Sequence, residues 1–402
     1  MGYSNLRLIR PIGTKPTSSS AQGRIVALDG LRGAAILLVV VWHYFYFYPD
    51  PNHHPTALLP KLYVYFERCI ALGWSGVDLF FVLSGFLIGG ILIEVRTSPS
   101  YFGTFYLRRF FRIIPVYYAW VALYVLLLLG FAFARHADSL GEPKTWYELG
   151  AQLVFFQNLG FIHYSGVGGA WFTATWSLAV EEQFYLVAPM IVRWLTSRAL
   201  FWLLIVVVLL APFLRVLVHY CFPPTMGLDP AYILMPCRAD SLAIGMLVAI
   251  LWRRPQSHRW LEDHRRILYQ LFGVFLSGVV ALLTYSPSPR SIAMQSVGFS
   301  WLAIFFALLL LLTLVNPEGP IASLASMRWL RELGNVSYCL YIIHQAVNLF
   351  CHAILQPAMV GQSDWRVIAV PVVACIVSYL IAKLSFTYFE QPLLRRGHTF
   401  KY

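Results

Sequence analysis

Ten runs of apolar residues, each long enough to cross about 30 Å of hydrocarbon as a helix, recur at 26–48, 70–94, 113–133, 176–194, 201–219, 231–252, 267–285, 297–315, 334–355 and 367–389. An eleventh stretch, 149–164 (LGAQLVFFQNLGFIHY), is ambiguous. Taken as a crossing, it inverts everything after it. Taken as an outer loop or a re-entrant element within 134–175, it leaves ten helices. The pattern predicts an all-α polytopic membrane protein, and the polar segments between runs are too short for an appended soluble domain. One membrane domain is expected over 25–392, with a cytoplasmic tail at each end, 1–24 and 393–402. The first of these holds TKPTSSS and no apolar core before a cleavage site, so it is expected to be disordered rather than a leader. The halves share no motif, which argues against an inverted-repeat carrier.

Composition supports this: 59% of the 402 residues are apolar, 16% aromatic and only 12% charged, against about 25% charged in an ordinary soluble domain. A net charge of +12 suggests nucleic acid in a soluble protein. Here the basic residues sit in short loops between spans and instead report orientation. With 149–164 kept outside, 20 Lys/Arg fall in inner segments, 6 in outer ones and 4 within spans. That bias predicts a multi-pass protein of the cell membrane with both termini cytoplasmic, in contact with lipid and not with nucleic acid. Six cysteines show no CxxC spacing; Cys221 and Cys237 flank one short loop and could pair, though small apolar residues in or near spans account for them as well.

Ionisable residues inside spans carry the candidate chemistry, because they are costly in a bilayer. Arg32 and His43 lie eleven residues apart in the first span, a rise of about 16 Å with a net rotation of about 20°, so both project from one face. By depth below the outer end of its span, Glu181 in TATWSLAVEEQFYL matches His43. A carboxylate beside a histidine forms the base-plus-orienter pair of acyl transfer. Glu182 competes but points about 100° away. Asp78, in GVDLFFVLSGFLIGG, is a further buried acid. His344 in the ninth span, read as deeper than His43, and Trp176 are candidates for an acceptor-side or a structural role. Asp29 could pair with Arg32, and Glu390 is placed at the inner surface. In YLRRFFRIIP, Arg108 and Arg112 share a face, with Arg109 beside them. Such guanidinium groups hold phosphates through paired hydrogen bonds or anchor the chain to anionic headgroups.

Six motifs in order, LDGLRG with an R-x10-H arrangement, GVDLFFVLSGFLI, FYLRRFFRIIP, WSLAVEEQFYL, RADSLAIG and GNVSYCLYIIH, resemble the acyltransferase-3 family of membrane O-acyltransferases, from about Arg24 to Pro392. The resemblance implies an acyl group, commonly acetyl, moved from cytoplasmic acyl-CoA to a hydroxyl of a sugar-containing acceptor. Such acceptors include cell-surface glycans and glycosylated natural products such as macrolides. It places the Arg and His of R-x10-H on Arg32 and His43 and the arginine motif on Arg108, Arg109 and Arg112. Acyl-CoA is then a substrate, and no metal is expected. The esterase-like domain fused to some members has no counterpart in these residues, so transfer is expected within the membrane domain, either directly or through an acyl-histidine. The rival class is a solute transporter or proton-coupled carrier, since a polar path through ten helices also suits transport.

Overall fold

The computed structural model describes residues 26–46, 65–135, 143–163, 169–222, 228–355 and 366–402; the expected N-terminal tail lies outside them. Among the described residues there are helices and no strands. The helices are α1 (Val26–Phe45), α2 (Gly76–Glu94), α3 (Tyr101–Arg135), α4 (Pro143–Leu153), α5 (Gln157–His163), α6 (Trp176–Trp194), α7 (Ser197–Cys221) and α8 (Met235–Arg253). There follow α9 (Pro255–Asp263), α10 (Arg265–Tyr285), α11 (Phe299–Val315), α12 (Pro320–Ala325), α13 (Arg328–Leu355), α14 (Arg366–Ser385) and α15 (Gln391–Gly397).

Nine helices among the described residues are long and apolar enough to cross a membrane. They cover nine of the ten runs. The remaining run, α6, is 19 residues long, about 28 Å, and carries Glu181, Glu182 and Arg193. Its C-terminal end sits beside that of α2, because the Arg193 guanidinium donates to the Arg96 carbonyl and Arg96 donates to the Leu195 carbonyl. The ambiguous stretch forms two short helices, α4 of 11 residues and α5 of 7, neither of spanning length. Phe155 breaks them apart with a φ of 57°, the left-handed region that bulky residues rarely adopt. Its carbonyl accepts from Gln183 Nε2 at 3.0 Å and its ring stacks on Tyr117 at 4.6 Å. Gln152, Gln157 and Asn158 are buried and bonded to Tyr117, Thr175 and the Ile233 carbonyl respectively. The segment is thus packed into the bundle, alongside the first half of α6.

Without a hydrophobic drive between helices in lipid, close packing of small residues brings them together. The central pair is α1 and α13, which run parallel. A Cβ on Gly33 would meet the Leu330 carbonyl and Gly334 N, and one on Gly334 would lie 1.8 Å from the Asp29 carbonyl. α2 packs on the other side of α1 and joins α8 the same way, through Gly85 against the Leu242 carbonyl and Gly245 against that of Val82. α14 lies on α13, α7 and α11 on α8, and α10 on α11. The lipid-facing rim follows: α10 exposes Ile267, Leu271, Val274 and Val280. All six cysteines are free, with Cys221 exposed and Cys237 buried, so the pairing considered from the sequence does not form.

Because the α1–α13 contact leaves no room for a side chain, Gly334→Val should force these helices apart. The expected loss is about 1–3 kcal/mol of stability, as for other overpacked interiors, measured as a fall in the thermal unfolding midpoint in detergent. An unchanged midpoint would show that the contact is not constraining.

Candidate active site

The parallel register fixed by Gly33 and Gly334 repeats one helical stretch higher. His43 and His344 face each other there, with ring centroids 4.8 Å apart and His344 Nε2 3.3 Å from His43 Nδ1. His43 Nδ1 donates to the Val39 carbonyl at 2.8 Å, and His344 Nδ1 donates to that of Tyr341 at 2.6 Å. These partners place both ring protons on Nδ1, so the basic lone pair of each ring is on Nε2. His344 Nε2 faces the shared proton of His43, which fixes the tautomer in which His43 Nε2 is a base. The reading of His344 as deeper than His43 is therefore corrected. α13 begins at Arg328, six residues before the apolar run does, and the two rings lie at equal heights.

Glu181 is not beside His43. It accepts from Ser84 Oγ at 2.5 Å, and Ser84 in turn accepts from the Tyr185 hydroxyl at 3.2 Å. The register of α1 and α2 explains the difference. Gly76, at the head of α2, packs against the Ala35 carbonyl and Val39. Ser84 lies eight residues further along, about 12 Å toward the Arg32 end, whereas His43 lies four residues beyond Val39, about 6 Å the other way. Depth counted from the end of a hydrophobic run failed because that count carries no information on how α6 is set against α1, and the α4–α5 junction packs beside α6 at Gln183.

Glu181 instead lines a cavity of about 410 Å³ with Arg32, Arg109, Arg112, Ser84 and Tyr185, and with His398 at its mouth. Arg32 is 3.4 Å from Asp29, the pairing anticipated from their spacing. The Arg109 guanidinium stands over the Tyr185 ring at 5.6 Å, and its buried Nε has no hydrogen-bond partner. Three cations and one carboxylate leave the cavity with surplus positive charge, suited to a polyanion. Arg108 is separated from this group. Its Nε and Nη2 donate to the Phe400 carbonyl at 2.9 and 2.6 Å, and its guanidinium covers the Tyr402 ring. The same-face pair in the cavity is therefore Arg109 and Arg112, spaced i, i+3, because the C-terminal segment occupies Arg108. That segment is stapled further by Ser100 and Thr104, whose hydroxyls donate to the Lys401 carbonyl.

At its other end the cavity reaches Ser177 and Tyr341. The Ser177 hydroxyl donates to Tyr341 Oη at 2.5 Å, and the Tyr341 hydroxyl donates to the Ala174 carbonyl at 3.0 Å. Tyr341 lies one turn below His344 on α13, so this bonded pair stands between the cavity and the histidines. Sequence reasoning missed Tyr185, Ser177, Tyr341 and His398. Only their polarity within or beside apolar runs could have marked them.

The remaining candidates have other placements. Asp78 is fully buried and accepts from Arg238 Nη2 at 2.6 Å and Ser241 Oγ at 3.0 Å. Arg238 lies over the Phe299 ring at 4.0 Å. A second buried pair, Arg215 with Asp240 at 2.9 Å, extends the network to Ser300 and the carbonyls of Cys237 and Gln295. Neither pair lines the cavity. Trp176 does not line the cavity but packs on Tyr232 at 4.6 Å and on Phe81 of the cavity wall. Glu182 points apart from Glu181, and its buried Oε1 has no partner. Glu390, expected at a surface, is buried and accepts from Ser385 Oγ at 3.1 Å.

A helical membrane domain of this kind, with a histidine pair above a guanidinium-lined cavity, has relatives. The acyltransferase-3 family model, described as an acyltransferase domain, matches residues 25–384. The chain belongs to that family. It is 24% identical to the peptidoglycan O-acetyltransferase OatA of Listeria monocytogenes over 396 residues, 95% of this chain and 58% of that protein. To the O-acetyltransferase OatA of Staphylococcus aureus it is 24% identical over 389 residues, 92% of this chain and 57% of that one. The chain thus spans under three fifths of the length of these relatives. No solved structure matches it.

For Asp78 the geometry gives a structural expectation. Asp78→Ala should lower stability by about 3–5 kcal/mol, since it strands the buried Arg238 charge. A joint Asp78→Leu, Arg238→Met replacement should recover much of that loss. Thermal unfolding of the purified variants separates this from a catalytic role, which predicts inactive protein of normal stability.

Proposed function

We propose that the chain transfers a short acyl group, most simply acetyl, from cytoplasmic acyl-CoA to a hydroxyl of a cell-surface glycan. The acceptor class is carried by the relatives, which are named as peptidoglycan and other O-acetyltransferases. One observation supports the reading above all. A cavity lined by Arg32, Arg109 and Arg112 ends at Tyr341, one turn of α13 below the His43–His344 pair. The arginines would hold the CoA phosphates at the basic end. The 16 Å or so between Arg32 and His43 gives an extended thioester arm the length of the bundle to cross. The Lys/Arg bias supports a cytoplasmic position for the basic end and for both termini.

In the proposed step His43 Nε2 takes the proton of the acceptor hydroxyl as its oxygen attacks the thioester carbonyl. The carbon–sulfur bond then breaks, and the leaving thiolate receives that proton from His43. His344 holds the tautomer throughout, the part first given to Glu181. Glu181 belongs instead to the donor cavity, where its carboxylate accepts a hydrogen bond from Ser84.

Transfer of label from radiolabelled acetyl-CoA to soluble peptidoglycan fragments by detergent-purified protein tests the reading directly. His43→Ala should lower turnover about 10²–10⁴-fold, the usual contribution of a general base, with CoA binding nearly unchanged. Retention of more than about a tenth of wild-type turnover removes the base role.

The division among the arginines gives a second expectation. Arg112→Ala should raise the acetyl-CoA KM about tenfold or more and leave the acceptor KM alone, because a charged hydrogen bond is lost. Arg108→Ala, acting only through the C-terminal segment, should raise it far less. Equal acetyl-CoA KM values for wild type and Arg112→Ala would return these residues to lipid anchoring.

A further inference from the structure

Beyond the histidine pair, α13 continues its polar line. His344, Asn348 and His352 recur every four residues and are all buried, whereas Leu349 and Phe350, on the adjoining face, are about half exposed. Four residues advance about 6 Å and turn about 40° past a full circle, so the three side chains climb the same side of the helix, away from the arginine cavity. Asn348 is the informative member. Its Nδ2 donates to the His43 carbonyl at 3.5 Å, which places the amide beside the residue that carries the base. Its Oδ1 is buried, with no hydrogen-bond partner.

A buried amide oxygen without a donor costs free energy that no other contact returns, and a leucine there would avoid that cost. The group that would satisfy Oδ1 must be a donor, and one that arrives from the end of the bundle opposite the arginines. Hydroxyls of a sugar ring meet both conditions, since neighbouring hydroxyls allow one to reach His43 while another donates to an amide a few ångströms away. We infer that Asn348 is an acceptor-binding residue: its Oδ1 receives a hydrogen bond from a sugar hydroxyl next to the one that is acylated. This rests on the reading of His43 as the base and adds to it a residue that orients the acceptor.

The test uses the full chain in detergent, radiolabelled acetyl-CoA as donor and soluble peptidoglycan disaccharide fragments as the acceptor probe. Asn348→Leu should raise the acceptor KM about tenfold, as loss of one buried hydrogen bond allows, with the acetyl-CoA KM within about twofold of wild type. Its thermal midpoint should stay level or rise, because the orphaned oxygen is gone. Asn348→Asp, which keeps an acceptor atom in place, should hold the acceptor KM within about threefold. An unchanged acceptor KM in Asn348→Leu, or a parallel rise in both KM values, overturns the assignment. Failure of wild-type protein to label any glycan fragment while it still binds acetyl-CoA would instead sink the glycan-acceptor reading, and this inference with it.

Discussion

The contact on which the rest depends is the near-touching of two backbones, α1 and α13, at Gly33 and Gly334. Lipid tails are as apolar as leucine, so helices in a bilayer gain little from burying leucine and more from close approach. Once Gly33 meets Gly334, the parallel register is fixed along the whole pair. His43 must then face His344 ten residues on, and Arg32 must open toward the space between α2, α3 and α6. One small-residue contact therefore positions both ends of the proposed reaction path.

The polar groups in this bundle divide by whether their partners are internal. Asp78 with Arg238 and Asp240 with Arg215 compensate each other inside the α2–α7–α8–α11 packing, with Ser241 and Ser300 completing the shells. Such pairs fix which helices may meet and leave no charge for a ligand. The cavity is different: Arg32 pairs with Asp29, but Arg109 and Arg112 share the cavity with one carboxylate, Glu181, that is itself bonded to Ser84. A cluster with more guanidiniums than carboxylates is costly in isolation and makes physical sense as half of a complex with a polyanion.

Between these regions α13 acts as the spine of the path. Ser337, Tyr338 and Tyr341 contribute to the cavity wall, His344 to the ring pair, and Asn348 and His352 to the far end. The Ser177–Tyr341 hydrogen bond lies at the end of the cavity nearest the histidines.

The hydrophobic runs alone determined the class of fold and nearly every spanning helix, because a bilayer demands about twenty apolar residues per crossing whatever the neighbours are. The sequence likewise marked Arg32, His43 and Asp78 as consequential, since ionisable groups inside spans are few. Partnership was another matter. Helical periodicity gives the direction of a side chain on its own helix but not the depth at which that helix sits against another. Counting from the end of a run placed Glu181 level with His43 and His344 below it; packing reversed both. The α6 helix packs alongside the folded 143–163 segment, and α13 begins before its apolar run does. Spacing put Arg108 on one face with Arg112, yet the Phe400 carbonyl, nearly three hundred residues away in the chain, takes Arg108 and leaves Arg109 to line the cavity with Arg112. Composition and periodicity act within one helix and can be read from it. Register and partner choice depend on contacts between helices far apart in sequence, and only the tertiary structure decided them.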